Sequence, residues 1–173
     1  MKIYLASRYS RFREMQKYRT HLQSIGHQIT CRWINGSHQI DDAGLSSQAK
    51  EAERIRFAQE DYSDLVAADC IISFTEAPRS SNSRGGRHVE HGMALALGKR
   101  TIVVGHRENV FHCLPQVEFY LTWEDLVNVV FPSATPQYSQ GEHVEVLRAA
   151  GVHIEGDGSE HGGVLRAAGV PGY

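Results

Sequence analysis

The sequence predicts an α/β layer fold built on a mainly parallel sheet with helices on both faces. Three observations predict it. Short apolar runs of strand length recur along the chain. Segments with helical periodicity separate them. Polar loops holding Ser, Arg and Gly interrupt the pattern. In such folds ligands bind beyond the carboxyl ends of the strands, so the loops at residues 7–11, 35–47 and 75–86 carry the functional weight.

The elements follow in order. Residues 3–6 open the chain as a strand. Residues 11–25 place Phe12, Met15, Tyr18, Leu22 and Ile25 at helical spacing, with Ser10 as a candidate N-cap and Gly26 as a stop. Residues 27–34 read as a second strand with Ile29, Cys31 and Trp33 on one face. A helix is expected from Ser46 or Ser47 to about Ala68, burying Ala52, Ile55, Ala58 and Leu65. Residues 70–74 are a compact apolar strand. A helix over 87–97 ends at Gly98, a strand spans 101–104, and a last helix covers 123–130 with Thr122 as cap and Asp125 in its first turn.

The chain has 173 residues, about one domain's worth. Hydrophobic residues make up 41% and charged residues 22%, which excludes disordered and collagen-like classes. Eighteen basic residues against twenty acidic ones give a net charge of −2. No general field exists to hold a nucleic acid polymer or an anionic membrane. Three cysteines, Cys31, Cys70 and Cys113, lack CxxC spacing, so neither a disulfide framework nor a zinc site is expected. The start is too soon charged for a signal peptide, and no run nears the ~20 apolar residues of a membrane span. A cytoplasmic protein is the expectation.

Residues 132–173 differ. Val146 to Val152 recurs as Val164 to Val170 in a Gly- and His-rich stretch. The domain is expected over 1–131, with 132–173 as a tail that is mobile or docks on a neighbouring subunit. Nothing assigns the repeat a function.

The most informative segment runs from Arg84 to Arg100. Gly85 and Gly86 precede a helix, so backbone can approach a ligand closely, and free amides at its start favour an anion. Glu90 lies within about a turn of that start, where a carboxylate is held charged, as a nucleophile requires. The plainer reading is a glutamate that only complements the helix dipole. The preceding loop, residues 79–86, combines Ser83 and other hydroxyls with guanidinium groups and amides, a set that suits a phosphate. Ser7, Arg8 and Arg11 are placed to add to it from the first loop. Trp33 is a candidate platform for a base; a core Trp is the alternative.

Three stretches carry a family resemblance: Ile3-Tyr4-Leu5-Ala6-Ser7, the segment from Asp61 to Asp69, and the helix from Val89 to Lys99. With them residues 1–130 resemble the nucleoside 2-deoxyribosyltransferase superfamily, which includes the 2′-deoxynucleoside 5′-monophosphate N-hydrolases. The resemblance implies a flavodoxin-like or Rossmann-like three-layer sandwich, assembled as a homodimer or homotetramer. It implies that Glu90 attacks C1′ of a deoxyribose, that Asp61 protonates or orients the leaving base, and that Tyr4 positions the glutamate. The run Arg107 to His112 stands where the transferases have a segment reaching a neighbour's site, and Asn109 is its candidate binding residue.

The chemistry is compatible. Breaking an N-glycosidic bond passes through an oxocarbenium-like state, so one carboxylate must stand near C1′ and a second acid should help the base depart. Neither role needs a metal or a cofactor. Asp64 and Asp69 are expected to be structural, Asp64 facing solvent. His88 and His91 flank Glu90 on different faces. Transfer to a second base leads, hydrolysis of a 5′-monophosphate is the alternative, and a non-catalytic nucleotide sensor is the third reading.

Overall fold

The computed structural model describes residues 1–38, 46–77 and 85–132. Five strands, β1 (Lys2–Ala6), β2 (Gln28–Ile29), β3 (Cys70–Phe74), β4 (Arg100–Val104) and β5 (Val117–Tyr120), form one all-parallel sheet in the order β2-β1-β3-β4-β5. Four helices flank it in a three-layer arrangement: α1 (Phe12–Ser24), α2 (Ser47–Ala67), α3 (Gly86–Ala96) and α4 (Trp123–Val130). This is the doubly wound fold expected from the alternating pattern.

Helices on both faces leave the central strands little solvent, which is why they read as continuous apolar runs. All of β3 is buried, and β1 and β4 are buried after their first residue. Residues α1 was expected to bury do face the core: Met15 and Leu22 are fully enclosed, with Phe12, Tyr18 and Ile25 packed around them. Tyr18 stacks on Trp123 of α4 at 4.2 Å and on Phe74 at 5.0 Å. Cys31 and Cys70 are buried, and burial pushes both thiols up to about 12.

Several expectations are corrected. The second strand is only two residues long, because the chain then turns into a 3-10 turn, Arg32–Asn35. Trp33 therefore sits in a turn, not at a strand end. Side chains hold that turn: Gln16 donates to the Ile34 carbonyl at 2.7 Å, Arg19 to Asn35 Oδ1 at 2.6 Å, Tyr9 to the Gly36 carbonyl at 2.6 Å and Trp33 itself to the Leu5 carbonyl at 2.9 Å, while Asp64 accepts from the Arg32 amide at 2.9 Å. Ser10 does not cap α1; it lies in the 3-10 turn Tyr9–Arg11. In α2 the buried residues are Phe57, Asp64 and Leu65, while Ala52, Ile55 and Ala58 are exposed. The fifth strand was not anticipated, because it follows a 3-10 turn, Val110–Cys113, rather than a helix.

Other signals have local causes. Ser46 caps α2 by accepting from the Ala49 amide, and Thr122 with Asp125 forms a capping box on α4. Lys99 donates to the Val66 and Ala68 carbonyls at the end of α2, where a cation also suits the dipole. Gly105 follows β4 with φ +117°, and a Cβ there would lie 2.8 Å from both the Thr75 carbonyl and its hydroxyl. That hydroxyl donates to the Val104 carbonyl and accepts from the His106 amide. Gly105→Ala is therefore expected to cost about 1–3 kcal/mol in chemical denaturation; an unchanged midpoint would contradict the close approach.

Candidate active site

A cavity of ≈ 470 Å³ opens where the strand order reverses, beyond the ends of β1 and β3. Ser7 to Ser10 supply one wall from the loop after β1. Trp33 and His38 come from the 3-10 turn and its exit, Asp61 from α2, and Gly86, Arg87 and Glu90 from the start of α3. The volume falls in the range of small-molecule sites, about 300–1,000 Å³.

Glu90 accepts a hydrogen bond from the Tyr4 hydroxyl at 2.8 Å. Tyr4 is fully buried in β1. Burial, then the charges of Glu90 and Asp61, raise its phenol well above its ordinary value, so it remains a donor at any physiological pH. Burial pushes Glu90 up to about 7, assisted by Asp61 and opposed by the Tyr4 hydrogen bond. Asp61 also rises to about 7, through burial first and then the charges of Asp64 and Glu60, with Arg32 opposing. The two carboxyl groups thus titrate together near neutrality. Tyr4 favours the anion at Glu90. Asp61 Oδ1 has no hydrogen-bond partner among the described residues, so Asp61 is the better place for a proton. One carboxylate and one carboxylic acid on the same cavity are what general acid catalysis with a nucleophile requires.

His38 is the functional side chain that sequence reasoning passed over. It is almost fully enclosed, stacks on Phe57 at 4.6 Å and meets Ser37 Oγ through Nδ1 at 3.1 Å. Its Nε2 lies 3.0 Å from Glu60 Oε2 and 3.6 Å from Asp61 Oδ1, without hydrogen-bond geometry to either. Burial lowers its basicity, with Glu60 pulling the other way. A lone histidine in a polar stretch gives no signal; only the turn at 32–35 brings it to Asp61. Arg87 was missed too. It is buried in the first turn of α3 and pairs with Glu108 through Nε at 3.1 Å.

The structure distributes the remaining candidates unevenly. Ser7 lines the cavity, its Oγ enclosed without a hydrogen-bond partner among the described residues. Arg8 lines it while paired to Glu76 at 2.7 Å, and Arg11 pairs with Glu14. Trp33 is both wall and core: its indole nitrogen is taken by Leu5, and only 5% of the residue is exposed. Gly86 lines the cavity; Gly85 precedes it at φ +81° and caps α3. Ser83 lies outside the described residues, as does the rest of 78–84.

Asn109 is not on this cavity. It lines a second one of ≈ 860 Å³ with His88, His91 and Phe111. There it caps the Val110–Cys113 turn through the Phe111 amide and meets His88 and His112 at 3.3 and 3.1 Å. His91 is buried against Ser73, and burial lowers it to about 4. Asp64 is structural but buried, where a solvent-facing position was expected; it takes the fork of Arg32. Among the described residues no group of three or more His, Cys, Asp or Glu is arranged to hold a metal ion, and no helix is long and apolar enough to cross a membrane.

Both carboxyl groups are raised, so ionising them costs folding free energy. Their contribution is fully present below the unfolded values near ~4 and is lost as pH rises through about 7. Glu90→Gln keeps an acceptor for Tyr4 and removes the charge. It is expected to raise Tm by about 2–4 °C near pH ~8 and to leave it unchanged near pH ~4. Thermal unfolding at the two pH values checks this; a loss of stability at the higher pH would contradict it.

No protein-family model and no curated protein matches the chain. Solved structures do resemble it. The 2-deoxyribosyltransferase of the psychrotolerant bacterium Bacillus psychrosaccharolyticus aligns with TM-score 0.58 and 20% identity, over 76% of this chain and 93% of that one. A CMP N-glycosidase of Clostridium botulinum, BcmB, aligns with TM-score 0.48 and 18% identity, over 74% and 96%. A conserved protein of Enterococcus faecalis V583 gives 0.44 and 14%, over 77% of each. The first likeness shows that this chain has the fold of a 2-deoxyribosyltransferase.

Proposed function

We propose that the cavity cleaves the N-glycosidic bond of 2′-deoxynucleosides or their 5′-monophosphates through an ester on Glu90. The observation that carries this reading is the Tyr4–Glu90 hydrogen bond set on one cavity beside Asp61, whose Oδ1 accepts no hydrogen bond among the described residues. A Glu90 oxygen attacks C1′ as the bond from C1′ to the base nitrogen breaks. Asp61 gives its proton to the departing nitrogen and becomes a carboxylate. In the second half, Asp61 takes a proton from the incoming base or water as that group attacks C1′ and releases Glu90. Microscopic reversibility lets one residue serve as acid and then as base. Tyr4 holds the carboxylate in line and disperses its charge.

A transferase is the leading assignment, and the resemblance of the sequence and the fold shared with a 2-deoxyribosyltransferase support it. Hydrolysis of a 5′-monophosphate is the second reading, favoured by a specific observation. The unpartnered Ser7 Oγ, Ser10 and the amide-bearing start of α3 at Gly86 line the same cavity, a set of donors that suits a phosphate. Assembly as a homodimer or homotetramer fits the exposed Ile55, Tyr62 and Val66 of α2 and Val89 and Met93 of α3, helices that pack on each other. Light scattering should report a multiple of the chain mass; a monomer at micromolar concentration would oppose it.

Incubation with deoxynucleosides and their monophosphates, with and without an acceptor base, tests the reaction. Free base or exchanged nucleoside is expected. Asp61→Asn should lower kcat/KM about 10²–10⁴-fold, and Glu90→Ala should abolish turnover. Tight nucleotide binding that survives Glu90→Ala, with no turnover in the wild type, would replace this reading with a non-catalytic nucleotide sensor.

A further inference from the structure

We propose that Arg32 and Asp64 form a positioning pair that fixes the 3-10 turn to α2 one helical turn from Asp61 and balances the charge around it. This rests on reading Asp61 as the proton donor. The pair is a fork. Arg32 Nη2 donates to Asp64 Oδ1 at 2.7 Å, and Nε lies 3.0 Å from both oxygens. The Arg32 backbone amide adds a bond to Oδ2 at 2.9 Å, and Nη2 reaches Ser63 Oγ at 3.2 Å. Asp64 is 6% exposed. Four hydrogen bonds from Arg32 thus converge on one enclosed carboxylate.

Geometry gives the pair its reach. Asp64 follows Asp61 by three residues, so the two carboxyl groups lie on one side of α2. Arg32 is next to Trp33, and the exit of the same turn carries His38. The fork thus sets how far Trp33 and His38 stand from Asp61 across the cavity. Charge points the same way. Asp61 is faced by Glu60 and Asp64 on its own helix, by Arg32 and His38 from the turn, by Glu90 from α3 and by Tyr4 from β1. Arg8 and Arg87 line the same cavity, paired to Glu76 and Glu108. Asp64 raises Asp61 and Arg32 lowers it, so the intact pair holds Asp61 between two extremes.

The test separates this from simple scaffolding. The midpoint of Asp61 is followed by carbon NMR of aspartate-labelled protein, with the resonance assigned through Asp61→Asn. Asp64→Asn removes the like charge and should lower the midpoint by about one pH unit. Arg32→Gln removes a half-exposed cation and should raise it, by less than Asp64→Asn lowers it. The double variant should return it toward wild type, and Arg32→Lys should leave it near wild type. Arg32 is half exposed, so its variants carry the test if Asp64→Asn does not fold. Shifts of the same sign in Asp64→Asn and Arg32→Gln, or none in Arg32→Gln, would overturn the proposal. The alkaline limb of kcat/KM should move with the midpoint. A midpoint that shifts as stated in a protein without N-glycosidic activity would sustain the pair and reject the proposed reaction.

Discussion

A buried tyrosine hydroxyl bonded to a glutamate is the interaction on which the cavity depends. A carboxyl group this enclosed would otherwise keep its proton and lose its nucleophilic character. Tyr4 opposes that by donating a hydrogen bond that favours the ionised form, against burial that still pushes Glu90 up to about 7. It can do so permanently because its own surroundings, apolar and negatively charged, keep the phenol protonated. The same burial that would silence Glu90 is what keeps its partner a donor.

The fold explains why these two groups meet. Tyr4 lies in β1, paired with Ile71 of β3 at the centre of the sheet. Glu90 lies on the helix that follows β3 and packs over both strands. The reversal of strand order between β1 and β3 leaves a crevice there, and α2 closes one flank with Asp61. Around it, charges are paired pairwise: Arg8 with Glu76, Arg87 with Glu108, Arg32 with Asp64. Among the described residues neither carboxyl group on the cavity is paired with a lysine or arginine, and burial dominates their titration. Both therefore sit near neutrality, the range in which proton transfer in either direction is easiest.

Much of this was legible in the sequence, for reasons that differ by residue. The apolar runs of β1, β3 and β4 and the spacing of Met15 and Leu22 report burial directly, so the sheet and α1 could be read. The helix carrying Glu90 was readable because two glycines mark its start. The turn at 32–35 was not, since Cys31, Trp33 and Ile34 look like a strand and the hydrogen bonds that make it turn come from residues distant in sequence, among them Gln16, Tyr9 and Asp64. Its misreading hid His38. The face of α2 was misassigned because Ala52, Ile55 and Ala58 are apolar yet exposed, while a charged residue, Asp64, is buried by its fork with Arg32. Burial of a charge depends on a partner distant in sequence, and periodicity carries no trace of it. Asn109, expected in a run that stands where transferases reach a neighbour's site, lines the second cavity of its own chain.

The central claim is that Glu90 becomes covalently bound to the sugar. A 2′-fluoro deoxynucleoside analogue should form that ester and slow its breakdown. Mass spectrometry of the intact protein after incubation, followed by peptide mapping, should find one fluorinated sugar on the peptide that contains Glu90. An enzyme that turns over its substrate while Glu90 remains unmodified would contradict the account.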